Sequence, residues 1–127
     1  IFRRLLISAS EDIGLADPNA IVVVNSCYGA FEKVGYPEGY YFLSQASLFL
    51  AISPKSNSTK SIFKAIETVK SNKLSLVPDH LKYKSKTYKN PHNYSKNDLV
   101  QTYMPNNLID HKIWHPNKSG WEHDINP

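Results

Sequence analysis

The stretch Asp17–Gly35, DPNAIVVVNSCYGAFEKVG, decides how the chain folds. Asp17 can accept the free backbone N–H groups of a helix start, and Pro18 suits the first helical position, where no N–H is needed. Ile21, Val24, Tyr28 and Phe31 then recur at the spacing of one helix face until Gly35 provides a stop. Val22 and Val23 widen that stripe, so the pattern predicts a helix buried on two sides.

Working outward, residues 1–12 carry Phe2, Leu5, Leu6 and Ala9 on one stripe with Arg3 and Arg4 beside it, a helix that Gly14 should end. Ile1 to Ile7 read as helix interior with no capping residue before them, which points to a longer protein. Pro37 and Glu38 open a third, strongly apolar helix through Tyr41, Phe42, Ala46, Phe49 and Leu50, interrupted at Ser53 and Pro54. A fourth follows Ser56–Thr59, with Ile62, Ala65, Ile66 and Val69 on one face and Lys60, Lys64 and Lys70 towards solvent or a partner. The fold class is therefore mainly α.

Beyond Asn72 the periodicity weakens. From Pro78 to Tyr94 lysine and tyrosine alternate without a helical or strand period, which predicts loops and short turns. Ser95 and Asp98 match a capping box and predict a short helix over Lys96–Tyr103, ahead of Pro105. Lys112–His115 and Trp121–His123 are expected to pair as one small β-hairpin across Pro116–Gly120. The expected organisation is a single domain over 1–127, helical over about 1–73 and loop-rich and basic over about 74–127.

A hydrophobic fraction of 41% and a charged fraction of 20% lie far from the composition of disordered chains. The greasiest runs, Ala20–Val24 and Ala46–Ile52, are far short of the roughly 18 apolar residues that span a bilayer, and no secretory leader is visible. With Cys27 as the only cysteine no internal disulfide can form, which fits a reducing compartment. The expectation is a soluble, cytoplasmic protein without a membrane partner.

The phosphate-cradling pattern G-x-x-x-x-G-K-[ST] is absent, as is G-x-G-x-x-G, so no nucleotide site is expected within the chain. His111 and His115 make the best zinc pair, but two ligands in an extended stretch do not make a site. Cys27 sits among Val23, Val24 and Phe31, the setting of a small buried thiol rather than a nucleophile. No catalytic, cofactor-binding or metal residues are assigned.

Charge is uneven: residues 53–96 hold ten lysines against Glu67 and Asp79 alone. Within that span Lys82, Lys84, Lys86 and Lys89 interleave with Tyr83 and Tyr88, the residue types that neutralise phosphates and stack on bases. A single-stranded nucleic-acid module over 82–96 is one reading; a solvated surface with its rings turned inward is the other.

Arg3-Arg4-Leu5 followed by Ala9-Ser10-Glu11-Asp12-Ile13-Gly14-Leu15-Ala16-Asp17-Pro18 resembles the start of the C-terminal domain in the replication-associated recombination protein A family, also called MgsA. Gly35-x-Pro37-Glu38-Gly39, Pro54-Lys55-Ser56-Asn57, Val77-Pro78-x-His80-Leu81, Tyr88-Lys89-x-Pro91-His92 and Tyr103-Met104-Pro105 continue the likeness in order. Trp114-His115-Pro116 and Gly120-Trp121-Glu122 match the family's closing positions, whereas Asn93 replaces an expected acidic residue and Ser95–Asp98 occupy a region that is often glycine-rich.

The resemblance implies an AAA-type ATPase related to clamp loaders, acting at stalled or damaged forks, with its ATP and magnesium site upstream of Ile1. It implies a helical fold like the clamp-loader collar, homotetrameric assembly, and contact with DNA and replication proteins through the longer protein, at the nucleoid in a bacterium. The apolar faces of the second and third helices exceed what one small domain buries, and Tyr40, Tyr41, Phe42 and Phe49 are the candidate oligomer interface. On this reading the chain is an assembly domain and not itself an enzyme.

Overall fold

The computed structural model describes residues 1–72, 75–95 and 99–126. Among them the chain forms α1 (Phe2–Ser8), α2 (Asn19–Val34), α3 (Gly39–Ile52) and α4 (Ser61–Ser71), joined by short 3-10 turns and with no strand. It divides into two compact units, Ile1–Lys64 with Ile113–Pro127, and Ala65–Lys112.

The first unit is organised around α2. The Asp17 carboxylate accepts the Asn19 backbone N–H at 3.0 Å, as the helix start requires, and Gly35 leaves the helix with φ 72°. Ala20, Val24 and Cys27 are buried against Phe2, Ala9 and Ile13 from the N-terminal segment and Ala46 and Leu50 from α3. Gly39 opens α3 directly under the Phe31 ring, where a Cβ would come within 2.7 Å of Cδ2. Only a hydrogen fits there, so the two helices close tightly at that end.

The first helix does not end at residue 12. It passes into a π-turn, Ala9–Ile13, and then a 3-10 turn, Gly14–Ala16, with Gly14 at φ 50° and ψ −123° where the winding changes. A π-turn frees backbone groups, and distant residues take them up. The Ser10 carbonyl accepts the Thr59 hydroxyl at 2.9 Å, and the Asp12 carbonyl accepts the Ser56 N–H at 2.8 Å.

Pro54-Lys55-Ser56-Asn57 works as a clasp. The Lys55 ammonium donates to the carbonyls of Leu50, Ala51 and Ser53, neutralising the negative end of α3. The Ser56 hydroxyl accepts the Asn117 amide at 2.9 Å, tying the C-terminal segment to the same place.

That tie replaces the hairpin expected over Lys112–His115 and Trp121–His123. Gly120–Glu122 form one 3-10 turn packed on Gly14–Ala16, and Lys112–His115 are not a strand. Gly120 has φ 55°, and a Cβ on it would lie 2.0 Å from the Ala16 carbonyl oxygen and 2.9 Å from the Pro54 ring. The turn is thus locked to a neighbouring backbone instead of to a partner strand.

In the second unit the short helix expected over Lys96–Tyr103 is not borne out where it can be checked: Leu99–Tyr103 are not helical, and Lys96–Asp98 lie outside the described residues. Their groups are committed elsewhere. The Thr102 carbonyl meets His80 Nε2 at 2.7 Å, and the Gln101 side chain bonds both backbone groups of Lys89. Along α4 the predicted stripe forms but remains uncovered, with Ile62, Ile66 and Val69 exposed and Thr68 the buried position.

Replacing Gly120 with alanine forces a left-handed L residue into the Ala16 carbonyl, and should cost about 2 kcal/mol or more of stability. Chemical denaturation followed by circular dichroism measures this, with Gly29→Ala, where nothing lies within 4 Å of the added Cβ, as the control.

Candidate functional site

Two surfaces carry the expected functional residues, one in each unit. In the first, Tyr40 and Tyr41 lie in the open, 59% and 77% exposed, whereas Phe42 and Phe49 are half-buried and pack on the core. The four candidates therefore divide between the outer and the inner sides of α3.

A helix that is apolar all round needs covering on every side. The inner side of α3 is covered, through Gly39, Ala46 and Leu50, but Tyr41, Leu48 and Ile52 fall on the opposite face at i, i+7 and i+11 and are 77%, 62% and 83% exposed. Beside this stripe a shallow groove of about 310 Å³ runs between the two helices, lined by Val22, Val23, Cys27 and Ala30 from α2 and Phe42 and Gln45 from α3.

At the other end of the helix pair an aromatic ladder reaches the surface. Phe2 stacks on Tyr28 and meets Phe31 edge-on, Phe31 meets Tyr36 at 5.2 Å, and Tyr36 meets Tyr40 at 5.0 Å. Tyr40 thereby belongs to an ordered row running from core to solvent, a geometry in which ring pairs attract.

In the second unit Lys82, Lys84, Lys86 and Lys89 are all exposed, and Tyr83 and Tyr88 are not turned inward: Tyr83 is 91% exposed and Tyr88 50%. Lys82 pairs with Asp79, and its hydrogen bond holds that carboxyl below the usual carboxylate range, so Asp79 stays ionised and offsets one lysine. Two side chains set the loop's path, His80 on the Thr102 carbonyl and Gln101 on Lys89 and the Tyr103 hydroxyl.

Burial pushes the Cys27 thiol up, away from the thiolate a nucleophile needs. Among the described residues no three His, Cys, Asp or Glu side chains are placed to hold a metal, His111 and His115 included. Glu122 is fully buried, yet its carboxylate has no hydrogen-bond partner among the described residues. No helix among the described residues is long and apolar enough to cross a membrane.

Comparison with known proteins gives the family. The model of the MgsA AAA+ ATPase C-terminal family matches residues 1–127. The chain belongs to this family. Replication-associated recombination protein A of Bacillus subtilis is 39% identical over 94% of the chain and 31% of its own length. The proteins of that name from Haemophilus influenzae and Escherichia coli are 32% and 31% identical, each over 98% of the chain and 31% of their length. The chain thus spans about a third of the relatives it matches.

The quoted motifs have physical roles in the structure: Asp17-Pro18 starts α2, Lys55 caps α3, and His80, together with Gln101 from outside those motifs, shapes the lysine loop. Leu48, Ile52 and Gln101 were not among the expected functional residues. The first two were detectable, because they continue the Tyr41 register along α3; Gln101 was not, because its partner lies 12 positions away in a loop. Gln101→Ala should leave α1–α3 intact while releasing the Lys89 amide. Hydrogen exchange at Lys89 should accelerate about fivefold, the change expected when a roughly 1 kcal/mol hydrogen bond disappears.

Proposed function

We propose that the chain is the self-assembly domain, specifically a tetramerisation domain, of a DNA-dependent AAA-type ATPase that maintains replication forks in recombination and repair. The observation that carries this reading is the outward face of α3, where Tyr41, Leu48 and Ile52 stand exposed in one register beside the α2–α3 groove. Single exposed apolar residues are ordinary, but three in one register next to a largely apolar groove are what a partner surface looks like before its partner arrives. Family membership supplies the context: the named relatives are replication-associated recombination proteins about three times as long.

On this reading ATP and magnesium bind in the part of such proteins that lies outside this chain, and the chain contributes no catalytic group. DNA and replication proteins are then reached through the longer protein, in the cytoplasm. A closed tetramer with two kinds of dyad needs two self-complementary patches. The α3 stripe with its groove, and the aromatic ladder ending at Tyr40, are two separate candidates on the same helix pair.

Size exclusion with light scattering over a range of protein concentrations tests the proposal, and a mass of four chains is expected. Leu48→Ser with Ile52→Ser should reduce that mass while helical content holds, since exposed substitutions change stability by only about 0.5 kcal/mol. Polar changes at Phe42 or Phe49 are poor discriminators because both rings pack on the core. A monomer at every concentration, or an unchanged mass in the double variant, overturns the assignment.

A further inference from the structure

We propose that the turn Lys82–Ser85 and the segment running on to Lys89 form a binding site for single-stranded nucleic acid, with Tyr83 as the stacking platform and Lys84, Lys86 and Lys89 as phosphate contacts. The site lies in the second unit and does not depend on the assembly reading. Four observations carry it.

The Ser85 N–H donates to the Lys82 carbonyl at 3.0 Å, which closes a four-residue turn with Tyr83 and Lys84 in its two central positions. Turn centres usually hold glycine, asparagine or aspartate. Here the tip is a tyrosine whose surface is 91% exposed, a large ring left in water.

Lys84 follows with φ 61°, the one positive value among non-glycine residues described. A long side chain in that conformation is strained, and strain of this kind collects where function requires a particular side-chain placement. Its ammonium stands 5.3 Å from the centroid of the Tyr83 ring, so one turn presents a ring and a cation together.

The turn is also held in place. His80, just before it, is fixed to the Thr102 carbonyl, and Lys89, beyond it, donates its N–H to the Gln101 amide oxygen and accepts the Gln101 amide N–H on its carbonyl. The lysines thus project from a braced loop rather than a free tail, and ordering it on a ligand costs less entropy.

Charge completes the site. Asp79 engages Lys82, while Lys84, Lys86 and Lys89 have no carboxylate partner among the described residues. Three uncompensated cations beside an open ring match a flexible strand whose phosphates and base faces are both reachable. A duplex hides its base faces in the stack and offers Tyr83 nothing, whereas every nucleotide of a single strand offers both a base face and a phosphate, the pair of groups that an exposed ring beside lysines can bind.

The test uses the 127-residue chain and a fluorescein-labelled oligothymidylate of about 15 nucleotides, read by anisotropy. With three phosphates contacted, affinity should fall roughly 20-fold between 50 and 200 mM salt. Tyr83→Ala should weaken binding about tenfold and Tyr83→Phe should not, because stacking needs the ring and not the hydroxyl. Lys84→Gly removes one charge and relieves the left-handed backbone, so affinity should drop while the melting temperature holds or rises. Absence of binding at 50 mM salt, indifference to Tyr83→Ala, or a duplex that competes as well as the single strand each overturns the proposal.

Discussion

The tight approach of α2 and α3, closed where the Phe31 ring lies on the bare α-carbon of Gly39, governs much of what the first unit presents to solvent. Helices that meet this closely spend small residues on the contact, Ala20 on one side and Gly39 and Ala46 on the other. Apart from the buried Leu50, the bulky residues of α3 are then left for its flanks and its outer face. Phe42 and Phe49 brace the flanks, and Tyr41, Leu48 and Ile52 are displayed. The same economy that seals the core therefore produces the apolar stripe.

A second constraint is the backbone demand created by the π-turn. Carbonyls released at Ser10 and Asp12 are met by Thr59 and Ser56, and Ser56 in turn receives Asn117. Residues from three separated parts of the chain converge on one polar knot, reinforced by the ion pair of Lys60 with Glu11 at 3.3 Å. That pair is half-exposed and contributes little by itself. The knot explains why a motif as bland as Pro54-Lys55-Ser56-Asn57 matters: its lysine ends one helix and its serine joins two loops.

What could be read from the residues follows from how local each cause is. The bounds of α2 were legible, because Asp17, Pro18 and Gly35 act within its own length, but its expected burial on two sides was not borne out: Ile21 and Val22 are 39% and 59% exposed. Gly14 was legible as a break but not as the exit of a π-turn, since that winding depends on acceptors filled by residues more than forty positions later. The hairpin expected near the C-terminus failed for the same reason: Gly120 answers to the Ala16 carbonyl, which no pattern within 112–123 encodes. Among candidate site residues, Lys82, Lys84, Lys86 and Lys89 were found by composition, while the bracing by His80 and Gln101 emerges only once the loop is folded. The sequence also could not divide Tyr40 and Tyr41 from Phe42 and Phe49, because neighbours on a helix that is apolar all round give no sign of which side is inner.

Cys27 carries a practical consequence. It is the chain's only cysteine, 6% exposed, and it lines the groove between α2 and α3 alongside Val23 and Phe42. A thiol so placed is a native reporter that needs no engineering: its rate of alkylation counts how often the helix pair breathes. Anything seated in the groove should quiet that chemistry, and anything that loosens the Phe31–Gly39 closure should awaken it, so the integrity of this face can be followed one thiol at a time.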